Sequence, residues 1–168
     1  SKISLGLDLR GGSHLVMQVE TDKAVEASLD NIAADLQTTA ASQKLEVAFG
    51  RSGRTIVARF AEPLEDKVSE FVKKTYAVLE FKSRAKGEIV YGPKAQWANG
   101  IKEDAVRQGK ERTERRINKF GVAEPNVYKQ GTDQIVIQLP GIKNPQEAIS
   151  FIRTAGRLEV KLVDTESD

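Results

Sequence analysis

Alternating apolar and polar positions open the chain. From Ile3 to Leu9 every second residue is apolar, which is the period of a half-buried strand. The segment His14–Glu20 has the composition of a second strand, and Gly11-Gly12 lies between the two. Paired glycines accept positive φ without steric cost, so they predict a tight turn.

The period then becomes helical, with apolar residues three and four positions apart from Lys23 to about Ala41. The pattern next predicts the following elements in order: strands Leu45–Phe49 and Thr55–Phe60, a helix that begins at Pro63, and strands Ala77–Lys82 and Ile89–Tyr91, which pair with each other.

The longest predicted helix runs from Ile101 to Phe120 and ends at Gly121, the usual position of a terminating glycine. Its predicted inner face consists of Ala105, Val106, Thr113, Ile117 and Phe120. After it the pattern predicts strands Asn126–Gln130 and Gln134–Leu139, a helix from Pro145 to Gly156, and strand Leu158–Val163.

The order helix, strand, strand, helix, strand therefore occurs twice. Ile56-Val57 corresponds to Ile135-Val136 with a shift of 79 (135 − 56), and Phe71-Val72 corresponds to Phe151-Ile152 with a shift of 80 (151 − 71). Leu79–Lys82 corresponds to Leu158–Lys161, again with a shift of 79 (158 − 79). Duplication explains the repeat, and so does the common hydrophobic pattern of such units, but both explanations predict the same architecture.

This order predicts an α+β fold of two ferredoxin-like (βαββαβ-type) modules, each with an antiparallel sheet and helices on one face. We expect strand His14–Glu20 to join the sheet of Asn126–Leu139 and Leu158–Val163, because that C-terminal unit lacks a first strand of its own.

Composition limits the possible chemistry. The chain has 26 Lys and Arg, 24 Asp and Glu, one His and no Cys. Without cysteine there are no disulfides, thiolate nucleophiles or Cys-based zinc sites. The single His14 predicts a structural role, and no metal, cofactor or catalytic constellation is legible. No apolar run reaches ~18 residues. The start at Ser1 and the polar end Thr165–Asp168 lead us to expect a piece of a longer protein.

Two groups of charged residues are candidate sites. Asp8 and Arg10 beside Gly11-Gly12 predict an ion pair that fixes the turn, with an anion-binding loop as the alternative. The helix after residue 101 carries many cations: Arg107, Lys110, Arg112, Arg115, Arg116 and Lys119. Acidic residues lie among them, which favours a solvated face, and Arg112 and Arg116 are the candidate contact face.

A nucleic-acid-binding ferredoxin-like domain is the alternative function. RNA-binding domains of that topology place two or three aromatic residues on adjacent strands for base stacking. The corresponding strands here contain only Tyr128. With a formal charge of +2 as well, nucleic acid is not the expected partner.

Four blocks in order resemble the SecD family of bacterial protein translocase subunits. They are Leu5–Gly12 (LGLDLRGG), Arg116–Pro125 (RINKFGVAEP), Gln130-Gly131 with Ile135–Ile142, and Leu158–Val160. The family motif residues are Asp8, Arg10, Gly11, Gly12, Arg116, Asn118, Gly121, Glu124 and Pro125.

The resemblance implies a non-catalytic, cofactor-free extracytoplasmic domain at the periplasmic face of the inner membrane. It implies SecF, the SecYEG channel and the unfolded preprotein in transit as partners, with membrane attachment only through transmembrane helices outside this sequence. It also implies that this is the base region without the family's mobile head. The base module is then discontinuous, residues 1–22 and 93–168, and residues 23–92 form an inserted module.

Overall fold

The computed structural model describes residues 2–7, 13–122, 124–142, 144–153 and 161–163. These residues form nine strands: β1 Lys2–Leu7, β2 Ser13–Gln18, β3 Val47–Ser52, β4 Thr55–Phe60, β5 Leu79–Ala85, β6 Glu88–Pro93, β7 Asn126–Gln130, β8 Gln134–Leu139 and β9 Lys161–Val163. The helices are α1 Thr21–Ser42, α2 Glu65–Thr75 (after a 3₁₀ turn at Glu62–Leu64), α3 Ala95–Phe120 and α4 Pro145–Arg153. The predicted α+β class is confirmed.

The chain divides into two units. One, which we call the split unit, consists of Ser1–Thr21 and Glu103–Asp168, and the other, the continuous unit, is Asp22–Lys102. The sequence places these limits at 22/23 and 92/93, whereas the second division of the structure falls at 102/103, within α3.

Helix α3 begins six residues before its predicted start at Ile101. Asn99-Gly100 has the composition of a loop, and glycine costs a helix interior about 1 kcal/mol relative to alanine. Trp97 and Ala98 nevertheless pack against the core of the continuous unit. Tertiary burial of these two side chains therefore overrides the weak local preference.

The sheet of the split unit has the order β7-β8-β2-β1-β9. Strand β2 pairs antiparallel with β8, with Leu15 opposite Ile137. The predicted entry of the N-terminal strand into the C-terminal sheet is thus confirmed. One detail of the prediction is wrong: β1 lies between β2 and β9 and pairs parallel with β9, so the sheet is not wholly antiparallel.

One face of this sheet carries the core. The buried apolar side chains come from two strands and two helices: Leu15, Met17, Ile135, Ile137, Leu139, Val106, Ile117, Ala148, Ile149 and Ile152. Helix α3 approaches strand β8 closely at Gly109, where an added Cβ would lie 3.2 Å from Ile135 Cδ1. The buried Thr113 hydroxyl donates to the Gly109 carbonyl at 2.8 Å, which satisfies its polar group inside the core.

The sheet of the continuous unit has the order β3-β4-β6-β5, and all neighbours are antiparallel. The predicted return of the last strand on β5 is confirmed. Strand β6 lies between β4 and β5, and α1 and α2 contribute the buried side chains of one face, among them Leu29, Leu36, Val68 and Val72.

The two units repeat each other in burial. Four buried positions of α1 recur in α3 with a constant shift of 77: Leu29 and Val106, Ile32 and Gly109, Leu36 and Thr113, Ala40 and Ile117. In the second strands, Ile56 and Ile135 are both fully buried. The shift is 77 in the helix and 79 (135 − 56) in the strand. Of the two extra residues in the split unit, one lengthens the end of α3 and one lengthens the α3–β7 connection, which has five residues where α1–β3 has four.

Candidate functional site

The first family block lies mainly outside the described residues. Asp8, Arg10, Gly11 and Gly12 belong to that part of the chain, so the predicted turn stays a prediction. The second block, from Arg116 to Pro125, is described except for residue 123.

Arg116 lies near the end of α3 and connects it to α4. Its Nη1 donates a hydrogen bond to the carbonyl oxygen of Ile152 at 2.5 Å, in the last turn of α4. A cation at this position satisfies a terminal carbonyl and interacts favourably with the negative end of the helix dipole. Arg116 is also half-buried, so its guanidinium has a structural contact, and its place in a contact face stays a prediction.

The rest of the block ends α3 and turns the chain into β7. Gly121 has φ of 77° and donates its backbone N–H to the Asn118 carbonyl at 3.2 Å. Glu124, although not glycine, has φ of 52°, and Pro125 follows it directly before the strand. The geometry of these motif residues is therefore that of a helix end and a turn, and the Asn118 and Glu124 side chains are exposed.

Part of the charge on α3 is neutralised along the helix. Arg107 Nη2 lies 3.0 Å from Asp104 Oδ1, and Arg107 Nη1 lies 3.9 Å from Glu111 Oε1. Lys110 Nζ lies 2.8 Å from Glu114 Oε1. Glu111 thus pairs with the arginine four residues before it instead of the one four residues after it. This half of the cationic helix is a solvated, ion-paired face, as the sequence predicts.

Three exposed cations of α3, Arg112, Arg115 and Lys119, form no ion pair with the described residues. Their spacing of three and four residues aligns them on one side of the helix, and we call them the basic stripe. The predicted contact face contains Arg112 of these three, whereas the sequence analysis names Arg115 and Lys119 only among the cations of the helix. The signal was present in the spacing, but it could not be separated from the ion-paired cations before the pairs were known.

His14 and Tyr128 lie on the sheet of the split unit. His14 is half-buried on β2, opposite Gln138 of β8, and among the described residues no cluster of three metal-ligating side chains occurs. Tyr128 is 38% exposed on the outer strand β7. A base-stacking surface uses several aromatic residues on neighbouring strands, and Tyr128 is the one exposed large apolar side chain of this unit in the described part of the chain.

The continuous unit has two outer strands, β3 and β5. Gln37 of α1 closes β3: its Nε2 donates to the Val47 carbonyl at 3.0 Å, and its Oε1 accepts from the Phe49 N–H at 2.9 Å. A side-chain amide thus replaces a neighbouring strand at this edge. Strand β5 has an irregular register between Phe81 and Ser83, and Phe81 is 55% exposed.

None of the described helices is both long and apolar enough to cross a bilayer.

Comparison with known proteins gives one consistent family. A family model described as "Protein translocase subunit SecDF, P1 domain, N-terminal" matches residues 106–165, and one described as "SecD/SecF GG Motif" matches residues 1–23. No solved structure matches the chain.

Curated relatives named protein translocase subunit SecD match along nearly the whole chain. The protein of Desulfurispirillum indicum is 38% identical over 97% of this chain and 32% of its own length. The protein of Syntrophobacter fumaroxidans is 34% identical over 96% of this chain and 32% of its own length. The protein of Escherichia coli K12 is 31% identical over 99% of this chain and 28% of its own length. The chain spans about a third of the length of these relatives, and over that span it belongs to the SecD family of protein translocase subunits.

Proposed function

We propose that this chain is an extracytoplasmic docking domain of a SecD-type export subunit. It contacts SecF and the SecYEG channel and assists the passage of unfolded preprotein, without catalysing a covalent reaction. It acts at the periplasmic face of the inner membrane, and membrane helices outside this sequence attach it there.

The observation that carries the proposal is the basic stripe. In the described part of α3 the cations before Arg112 are ion-paired and Arg116 holds the end of α4, whereas Arg112, Arg115 and Lys119 are exposed without an ion pair. Three like charges on one side of a helix repel each other, and an acidic partner surface relieves that repulsion. Such charges speed encounter and select the partner more than they add affinity.

The test is charge reversal of the stripe in the full-length protein. We expect Arg112→Glu, Arg115→Glu and Lys119→Glu together to slow export of a reporter preprotein in cells while the protein accumulates normally. The matched control is Arg107→Glu with Lys110→Glu on the same helix, where exposed ion pairs are worth only about 0.2–1 kcal/mol each. Normal export in the stripe variant overturns the docking role of this surface.

A second measurement separates the proposal from nucleic-acid binding. The purified chain is passed over immobilised unfolded preprotein and over immobilised RNA at physiological salt. Retention on the preprotein supports the export function. Retention on RNA alone, lost with the stripe variant and with rising salt, contradicts it.

A further inference from the structure

A cleft opens in the continuous unit between the C-terminal half of α1 and the outer side of α2. Its volume is about 530 Å³. Eight residues line it: Thr39, Gln43, Leu45, Lys67, Glu70, Phe71, Lys74 and Thr75. This space accommodates one or two large side chains together with the backbone that carries them.

The floor is apolar and the walls are fixed. Leu45 is half-buried, and Phe71 packs against Phe49 with ring centroids 6.1 Å apart. Tyr76, which follows the lining residue Thr75, donates its hydroxyl to Asp35 Oδ2 at 2.6 Å, which ties the segment after α2 to α1. This hydrogen bond also raises the pKa of Tyr76. The cleft is therefore a formed feature of the fold.

The cations of the continuous unit differ in whether they form ion pairs. Every residue of this unit is described. Seven of its cations have ion-pair partners: Arg51, Arg54, Arg59, Lys82, Arg84, Lys86 and Lys102. Five lysines of the unit form no ion pair: Lys67 and Lys74, which line the cleft, and Lys44, Lys73 and Lys94, which do not. With Glu70 as the one anionic lining residue, the three charged groups that line the cleft carry a net charge of +1 (2 − 1).

The polar groups of the α1 wall are also available. The Thr39 hydroxyl and the Gln43 side-chain amide lie in the cleft, and neither makes a hydrogen bond within the continuous unit. Amides and hydroxyls both donate and accept, so they match the N–H and C=O groups of a peptide backbone. A lipid chain would instead need an enclosed apolar channel, whereas this cleft is open and lined by both polar and apolar groups.

We infer that this cleft binds a short polypeptide segment in which a large apolar side chain is flanked by acidic residues. The apolar side chain contacts Leu45 and Phe71, the carboxylates pair with Lys67 and Lys74, and the backbone bonds to Thr39 and Gln43. The inference deepens the proposed function and rests on it for the source of the segment, an unfolded chain in transit.

The test measures binding of labelled 12-residue peptides to the purified chain by fluorescence anisotropy. One peptide contains Leu and Phe flanked by Glu, a second replaces each Glu by Lys, and a third replaces Leu and Phe by Ser. We expect the first to bind and both others to bind at least roughly tenfold more weakly, because each lacks half of the matching chemistry. Equal binding of the Lys peptide overturns the inference.

Matched variants locate the site. The double variant Lys67→Glu with Lys74→Glu is expected to weaken binding of the acidic peptide at least roughly tenfold. The control Lys86→Glu with Lys94→Glu, in the same unit and outside the cleft lining, should leave the affinity within about twofold. Thr39→Trp fills the cleft and should also abolish binding; circular dichroism and thermal unfolding confirm that each variant folds. Unchanged affinity in the Lys67/Lys74 and Thr39 variants overturns the inference, and so does binding to anionic phospholipid vesicles with no peptide binding.

The basic-stripe variant distinguishes this inference from the proposed function. It leaves the cleft intact, so we expect it to bind the acidic peptide with unchanged affinity. Peptide binding that depends on Lys67 and Lys74, together with normal export in the stripe variant, supports the cleft and refutes the docking role. Peptide binding lost in the stripe variant contradicts the cleft assignment.

Discussion

The split unit and the continuous unit contain the same series of elements but complete their sheets from opposite directions along the chain. In the split unit, β2 from the N-terminal segment pairs with the second strand of the hairpin, β8. In the continuous unit, β6 follows β5 and folds back to pair with the corresponding strand, β4. A helix-strand-strand-helix-strand series therefore leaves one position beside its second strand, and either a preceding or a following strand can fill it.

The reason is a requirement for hydrogen bonds. A central strand such as β4 or β8 has backbone groups on both sides, and both rows need partners when the sheet is covered by helices. The sheet accepts any strand of suitable length and apolar pattern, because pairing uses the backbone. Which strand takes the position beside the second strand depends on how the chain connects the elements. This explains why the family's N-terminal block and C-terminal block belong to one unit.

The largest loss of stability should come from substitutions at the equivalent core positions Ile56 and Ile135, whose side chains are both 0% exposed. We expect Ile56→Ala and Ile135→Ala to cost about 2–5 kcal/mol each, because each leaves a cavity in a closely packed core. Trp97 is the single tryptophan and packs in the continuous unit. Urea unfolding followed by its fluorescence should therefore respond to Ile56→Ala, and circular dichroism should respond to both variants.

A control and a contrary outcome sharpen this experiment. Val57 lies next to Ile56 and is half-buried on the other face of the sheet. Val57→Ala should therefore lower the free energy of unfolding less than Ile56→Ala does. If Ile135→Ala shifts the Trp97 transition as much as Ile56→Ala does, the two units unfold as one cooperative body and are not independent repeats.

The next largest effect on stability should distinguish Arg116 from Arg112, which the sequence analysis assigns to the same candidate contact face. We expect Arg116→Met to cost about 1–3 kcal/mol, because the carbonyl of Ile152 loses a charge-assisted donor. Arg112→Met, at an exposed position without an ion pair, should stay within about 0.5 kcal/mol. Thermal unfolding monitored by circular dichroism measures both. Equal costs for the two variants would refute a structural role for Arg116.

The clamp on strand β3 is specific to the continuous unit. Gln37→Met keeps the length of the side chain but removes both hydrogen bonds to Val47 and Phe49. We expect a loss of about 0.5–1.5 kcal/mol, together with self-association through the opened edge. Gln43→Met, directly after the same helix and without such bonds, is the control. Sedimentation velocity measures association, and a monomeric Gln37 variant would show that the edge is protected by other means.

The smallest effect distinguishes the ends of α1 and α3. Lys44, with φ of 55°, and Gly121, with φ of 77°, are equivalent (121 − 44 = 77), and both donate to the carbonyl three residues before them. Lys44→Gly should stabilise by about 0.5–1 kcal/mol, and Gly121→Lys should destabilise by about 1 kcal/mol, because lysine pays a steric cost in the left-handed region. Chemical denaturation measures the difference. A destabilising Lys44→Gly would mean that the lysine side chain itself contributes to the fold.

Local pattern was sufficient for most elements and for the family. The alternation in β8 and the helical spacing in α2 depend on neighbouring residues alone, and the repeat makes each half a check on the other. The pattern also predicted that the N-terminal strand β2 joins the C-terminal sheet, because the C-terminal unit has no first strand of its own. It was least successful where burial competes with propensity, as at the start of α3, where Trp97 extends the helix through Gly100.

The sequence by itself determined which elements form, the α+β class and the SecD family, because these depend on period, turn residues and motifs that are contiguous in the chain. Only the tertiary structure decided how individual side chains are used. It separated Arg116, which is bonded to the end of α4, from Arg112, Arg115 and Lys119. It also gave ion-pair partners to seven cations of the continuous unit, whereas Lys67 and Lys74 of the cleft form no ion pair. The physical reason is that a cation's partner is set by three-dimensional distance, and residues far apart in the chain, such as Arg51 and Asp30, meet only after the sheet and helices have packed.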